Sequence, residues 1–187
     1  MFYEIELKSH VRIPPTSFNE KSLKETVLNK LNEEYEGKIS KDFGIAISIS
    51  KILNVGEGII VPGDGAAYYD TSFKLISFKP ELQEVILGDV TDITDFGVFF
   101  NMGAIDGMIH VSQTMDDFVT FSKSGVLTGK ESKKILKTND HCKARIVAVS
   151  YKELSNPKIG LTMRQGGLGS LQWLDDEKKK ADKEEKK

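Results

Sequence analysis

Cysteine is nearly absent from this sequence: Cys142 is the only one in 187 residues. A lone thiol excludes an internal disulfide and a cysteine-rich zinc site. Its place beside Lys143 on an alternating stretch predicts an ordinary half-buried residue in a reducing compartment. Histidine is scarce as well. His10, His110 and His141 lie far apart with no recurrent carboxylate spacing, so neither a metal site nor a catalytic constellation is expected. Asp116-Asp117 reads as a solvated pair in a polar insertion rather than as working acids. No apolar run approaches the roughly 18 residues of a membrane span. The opening MFYEIELKSH carries acids where a secretory signal is basic and then apolar. Together these absences predict a cytoplasmic protein with no membrane contact, no cofactor and no chemistry of its own.

What is present suits a soluble, globular chain: 39% of residues are hydrophobic and 29% charged, in a length that holds one large or two small domains. The net charge of −2 conceals an uneven distribution. Residues 81–117 hold eight acids (Glu81, Glu84, Asp89, Asp92, Asp95, Asp106, Asp116, Asp117) and no lysine or arginine. Residues 118–174 hold ten basic residues against three acids (Glu131, Asp140, Glu153). Two readings stay open: a body with one basic side that steers a polyanion, or a mixed solvated surface.

The densest pattern is Asp95-Phe96-Gly97-Val98-Phe99-Phe100, followed from Asp106 by DGMIHVSQ. Successive strand side chains point to opposite faces. Val98 and Phe100 therefore share one face with Phe99 and Asn101 on the other, and Ile109 and Val111 oppose Met108 and His110. The apolar set can fill a barrel core while Phe99 and His110 stay outside, joined by Phe96 next to the turn glycine Gly97. An exposed aromatic beside an imidazole is a stacking platform for unpaired bases. The alternative, equally open at this point, is that all the phenylalanines are core.

The run from Gly88 to Gln113, with HCKARIVAVS and KIGLTMRQ after it, resembles the OB-fold RNA-binding module first described in a large bacterial ribosomal protein. The resemblance covers about residues 82–165 and implies a five-stranded barrel. It implies RNA-facing roles for Phe96, Phe99 and His110. Where that family has an Asp ending the fourth strand and an Arg opening the fifth, this chain has Ser150 and Lys158. The charge stays at Lys158 but the planar fork of an arginine is lost. Lys143, Arg145 and Lys158 are the expected phosphate contacts.

Residues 1–80 read as a separate α+β unit. Phe2 to Ile13 alternates Tyr3, Ile5 and Leu7 with Glu4, Glu6 and Lys8, then stops at Pro14-Pro15. Ser22-x-x-Glu25 forms a capping box, and Leu23, Val27, Leu31 and Tyr35, with Leu28 beside them, keep near-helical spacing until Gly37. Strands are expected over Ile45 to Leu53, Ile59 to Val61 and Tyr68 to Phe78, with Asn54 to Gly58 as a turn. The result is a small antiparallel sheet with one helix packed across it.

Pro62-Gly63-Asp64-Gly65-Ala66-Ala67-Tyr68 lies between those last strands. No Lys-Ser or Lys-Thr follows and no helix start receives an anion, so the stretch fits a phosphate loop poorly. The glycines fit either a generic tight turn or a backbone approaching another surface closely.

RIPP (Arg12–Pro15), a helix ending in EEYEGK, VPGDGAAY (Val61–Tyr68), DGMIHVSQTMDDF (Asp106–Phe118) and LTMRQGGLGSLQWL (Leu161–Leu174) occur in this order. Over residues 1 to about 175 they resemble the stalk-subunit family of archaeal DNA-directed RNA polymerase, the E-prime or subunit-seven proteins. Gly166-Gly167 departs from a Pro-Tyr pair common there. The resemblance implies an N-terminal domain (1–80) that docks on the polymerase core at the clamp base, with Gly63, Asp64 and Gly65 as the inserting tip and Tyr68 at its rim. It implies a heterodimer with the companion RNA polymerase subunit called F, or subunit four. It also implies an OB barrel (81–165) that holds single-stranded transcript and assists promoter opening. A translation or RNA-processing factor with the same barrel is the alternative. Residues 115–138, with Lys130, Lys133, Lys134 and Lys137, read as a surface excursion that extends the RNA track or as a solvated loop. Residues 166–187 read as a C-terminal helix whose last packed residues are Leu168, Leu171, Trp173 and Leu174. Beyond them the charged tail DDEKKKADKEEKK is expected to fray.

Overall fold

The computed structural model describes residues 1–18, 22–122, 125–153 and 157–184. The chain divides into two compact units, Met1–Lys79 and Pro80–Lys187.

In the first unit, strand β1 (Phe2–Ile13) precedes helix α1 (Leu23–Tyr35), a two-residue strand β2 (Ile39–Ser40), and the long hairpin strands β3 (Gly44–Ile60) and β4 (Ala67–Phe78). The sheet order is β1-β4-β3-β2, antiparallel throughout. Alternation on β1 runs as the sequence predicts: Val11 and Ile13 are buried while Glu4, Glu6, Lys8, His10 and Arg12 face water. Val27 and Leu31, four apart on one helix face, close over Val11, Ile13, Ala46, Ile49, Phe73 and Leu75. Tyr35 meets the Phe73 ring edge-on, with centroids 5.3 Å apart. The helix start is capped, since the Glu25 N–H donates to the Ser22 hydroxyl at 3.4 Å. Leu23 stays exposed in the first turn.

A correction concerns Asn54 to Gly58. It is not a turn but the far half of one bulged strand, which continues to pair with β4 until Ile60 meets Ala67. Register slips at Ile52/Asn54 and Val55/Gly58 account for the glycines. A Cβ on Gly58 would lie 2.7 Å from the Tyr69 ring, which would have to shift to admit it.

The second unit carries β5 (Val85–Ile93), β6 (Gly97–Asn101), β7 (Asp106–His110), β8 (Val119–Ser122), β9 (Val126–Gly129), β10 (Ile135–Lys137), β11 (His141–Ser150), β12 (Lys158–Thr162), β13 (Gly169–Ser170) and α2 (Leu171–Glu184). Strands β5, β6, β7, β12 and β11 pair in that circular order, because β11 pairs with both β12 and β5. This closed five-stranded barrel has one parallel contact, β7 with β12, as an OB fold requires. Val90, Val98, Phe100, Ile109, Ala144, Ile146, Ile159 and Leu161 fill it. Cys142 is wholly buried rather than half-buried, and burial pushes its thiol up to about 12.

The stretch from 115 to 138 is not a loop. Strands β8, β9 and β10 form a small antiparallel sheet with Leu127 and Leu136 fully buried. Helix α2 leans on this insertion: the Trp173 indole N–H donates to the Ile135 carbonyl at 3.0 Å, and Lys134 pairs with Glu177 at 2.7 Å. The helix continues through Glu184, well into the charged tail, and Leu171 is exposed rather than packed. Residues 185–187 of the expected fraying tail lie outside the described residues. Among the described residues no helix is long and apolar enough to cross a membrane.

Candidate nucleic-acid interface

The paired strands β6 and β7 settle which phenylalanines are core. Phe100 has no exposed surface, Phe99 is half-buried, and Phe96 is 49% exposed in the turn before β6. The Phe96 and Phe99 rings meet edge-to-face, with centroids 6.1 Å apart and planes at 89°. The register sets Phe99 opposite Met108 and Gly97 opposite His110. Directly opposed residues share a face, so Phe99 and Met108 make one outward layer and His110 stands beside the bare backbone of Gly97, next to Phe96.

His110 is fixed by its own chain. It caps the short turn Val111–Gln113: the Ser112 N–H points at Nδ1 from 3.3 Å and the Ser112 hydroxyl lies 2.8 Å from it. A ring nitrogen that accepts a backbone N–H carries no proton, so in the neutral ring the proton sits on Nε2. The imidazole is exposed to solvent.

Lys158 opens β12 directly opposite Ser150, the last residue of β11, as the sequence predicts for both. A groove of about 590 Å³ joins Lys158 to the aromatic layer, lined by Phe99, Asp106, Gly107, Met108, Pro157, Lys158, Ile159 and Gly160. Charge follows strand order. Asp89 and Asp92 lie on β5, Asp95 in the β5–β6 connection and Asp106 at the start of β7, whereas Lys143, Arg145 and Lys158 lie on β11 and β12. The aromatic layer thus has exposed Asp95 beside Phe96 at one end of the β6–β7 pair and exposed Asp106 at the other end, in the groove with Lys158.

Two residues expected at this face are elsewhere. Lys143 pairs with Leu87 and Arg145 with Val85, on the β5–β11 side of the barrel. Phe96, Phe99, His110 and Lys158 come together; Lys143 and Arg145 do not join them. Met108, 37% exposed, is the addition, and its alternation with Ile109 was the signal for it.

The Gly63-Asp64-Gly65 loop is the turn of the β3–β4 hairpin. Gly63 and Gly65 have φ of +95° and +69°, a region that favours glycine, with open space around both. Between them Asp64 is held by its own unit. Arg12 Nε and Nη2 donate to its two carboxylate oxygens at 2.9 and 2.5 Å, and the Tyr68 hydroxyl donates at 2.5 Å. Arg12 first and Tyr68 second hold the Asp64 carboxyl well below the usual carboxylate range, and hydrogen bonding to Asp64 raises the Tyr68 phenol. Tyr68 therefore spends its hydroxyl within the turn. Arg12 was visible in the sequence only as part of RIPP; its role depends on the register that sets it opposite Tyr68. Ile59, Ile60 and Val61 flank the turn with 68%, 65% and 46% of their surface exposed.

An antiparallel sheet with a clamped, apolar-flanked hairpin is joined in one chain to an OB barrel that carries an aromatic and imidazole outer face, the architecture of a two-domain protein with a nucleic-acid-type barrel. Residues 8–65 match the family described as the SHS2 domain found in N terminus of Rpb7p/Rpc25p/MJ0397, and residues 79–154 match the S1 RNA binding domain. DNA-directed RNA polymerase subunit Rpo7 of Saccharolobus solfataricus is 40% identical over 181 residues, covering 96% of this chain and all of that one. The Rpo7 of Sulfolobus acidocaldarius is 39% identical over 184 residues, covering 98% of this chain and all of that one. DNA-directed RNA polymerase III subunit RPC8 of Saccharomyces cerevisiae is 32% identical over 115 residues, covering 62% of this chain and 54% of that one. The chain belongs to the Rpo7 (E-prime) family of archaeal DNA-directed RNA polymerase subunits, with an SHS2 and an S1 domain.

Proposed function

We propose that this chain is the stalk subunit that docks on the polymerase core through the Gly63-Asp64-Gly65 hairpin turn and pairs with the companion subunit four. Its barrel holds emerging single-stranded RNA on Phe96, Phe99 and His110, and the stalk assists promoter opening and initiation. The observation that carries the RNA reading is a barrel core already filled by Val98, Phe100 and Ile109, which leaves an edge-to-face aromatic pair and an exposed imidazole outside it. Stacking on such a face tolerates any base, and phosphate contact through Lys158 makes binding salt-sensitive. The flanking acids Asp95 and Asp106 favour weak, loosely registered binding over tight sequence reading.

For docking, the support is a turn whose single acid is already paired with Arg12, which presents glycine backbone and stands next to three exposed apolar side chains. The reading is tested by a core-polymerase pull-down run beside an RNA titration of the isolated chain. Gly63→Val with Gly65→Val puts branched side chains on a positive-φ turn, and should abolish recruitment while RNA affinity stays unchanged. Normal recruitment with lost RNA binding would mean that the two units have been given each other's roles.

A further inference from the structure

The three-stranded insertion holds one exposed ring among polar groups. Phe118, just ahead of β8, has 75% of its surface exposed. The Lys130 N–H donates to the Phe118 carbonyl at 2.9 Å, one step beyond the Val119–Gly129 pair. Phe118 and Lys130 therefore lie side by side, and alternation puts the Thr120–Thr128 pair on the same face. Val119, Phe121 and Leu127 take the opposite face. Asp117 ties the Phe118 backbone to the β9–β10 connection. Its carboxylate accepts from the N–H groups of Phe118, Glu131 and Ser132 and from the Ser132 hydroxyl, at 2.6 to 3.0 Å. A groove of about 470 Å³ lies between this ring and the barrel, lined by Val111, Ser112, Asp116, Phe118, Glu131 and Arg164 among others. The Ser112 hydroxyl stands 2.8 Å from His110 Nδ1, so the groove begins beside the imidazole.

We infer that the single-stranded RNA path continues from Phe96, Phe99 and His110 into this groove, where Phe118 stacks one further base and Lys130 meets a phosphate. The inference rests on the RNA reading of the barrel face. Charge decides which part of the nucleotide goes where. Asp116 is taken by Arg164, whose Nε and Nη2 reach Oδ1 at 2.9 and 2.7 Å, and Asp117 is taken by its four donors. Glu131 is left as the one acid of the groove with no cation or donor among the described residues. It turns phosphate away from the groove, while Lys130, outside the lining, receives the backbone. A base carries no charge to repel, and its π-face suits an exposed ring. OB folds engage about 4–16 nucleotides, more than two rings and an imidazole can stack. A protein partner fits less well. Protein docking favours a contiguous apolar patch, and the neighbours of Phe118 on its face are Thr120, Thr128 and Lys130.

The test is a titration of the full chain with a labelled oligouridine of about twelve nucleotides, over a range of salt, with a melting curve for each variant. Phe118→Ala should lower affinity about fivefold or more with melting unchanged, because the ring is exposed. Lys130→Gln should flatten the dependence of log K on log salt by about 0.7, whereas Phe118→Ala leaves that slope alone. Glu131→Gln should raise affinity, an effect that no loss of folding imitates. Parent-like binding in Phe118→Ala and Lys130→Gln overturns the groove, and the barrel face still stands if Phe99→Ala/His110→Ala is weakened. Weakening in Phe118→Ala with none in Phe99→Ala/His110→Ala overturns the continuous path and the barrel face, and leaves the insertion as a separate contact. A Phe118→Ala chain that keeps RNA but loses subunit four or the core in a pull-down overturns the groove in favour of a protein face. A parent chain that ignores RNA overturns the barrel face and the groove together.

Discussion

Arg12 and Asp64, 52 residues apart in sequence, close the turn of the β3–β4 hairpin with a two-pronged ion pair. The pair is exposed, and exposed pairs contribute little to global stability. Its consequence is local: it fixes the carboxylate between two glycines that would otherwise sample many conformations.

Arg12→Ala should therefore leave the melting curve of the N-terminal unit nearly unchanged yet speed amide exchange at Gly63 and Gly65. Arg12→Lys should restore the charge but not the fork, giving an intermediate exchange rate. Identical exchange in parent and Arg12→Ala would show that the pair does not order the turn.

The same pair sets a pH response. The Asp64 carboxyl is held below its ordinary value by Arg12 and then Tyr68. A depressed acid contributes order that is present above the unfolded value, about 3.9, and lost as pH falls through the lower folded one. At pH 4 the turn should remain clamped. Carboxyl NMR would find Asp64 still ionised there, and Arg12→Ala should return it toward the ordinary carboxylate range.

Gly44 and Gly63 both have positive φ, at +80° and +95°, but different surroundings. A Cβ at Gly44 would run into the Phe78 carbonyl oxygen, whereas Gly63 has open space. Gly63→Ala should cost only the left-handed penalty of about 1–2 kcal/mol. Gly44→Ala should cost more in urea unfolding, because backbone must move as well. Equal costs would mean that the β3–β4 ladder accommodates the extra atom.

Cys142 is buried and its thiol is pushed up to about 12, chiefly by desolvation. At pH 8 iodoacetamide should label it only as fast as the barrel opens. A thiol raised in the fold contributes stability that is complete below its unfolded value, about 8.5, and lost as pH rises toward 12. Labelling in the native chain at the rate of a free thiol would contradict this burial.

Patterns within one strand were legible in the sequence; relations between distant segments were not. Alternation in Phe2 to Ile13 and in Gly97 to His110 placed side chains on faces correctly, because period two is set by each strand alone. Asn54 to Gly58 misled because glycines mark both turns and bulges, and only the pairing with β4 distinguishes them. The insertion at 115–138 was located but its strands were not, because β8, β9 and β10 are three or four residues long, too short to show a period. Lys143 and Arg145 looked like phosphate contacts by charge; their neighbours Leu87 and Val85 are more than fifty residues earlier. Arg12 and Asp64 were both in view, and nothing local joins them.

The central claim is that the outer face of β6 and β7 binds single-stranded RNA by stacking. Its most direct measurement is a titration of a labelled single-stranded RNA with the full chain and with Phe99→Ala/His110→Ala, alongside circular dichroism of both. Base stacking on an aromatic contributes roughly 1–3 kcal/mol, so the double variant should lose about fivefold or more in affinity with an unchanged barrel spectrum. Unchanged affinity in a folded double variant would contradict the account, because the RNA would then bind where neither the ring nor the imidazole can reach it.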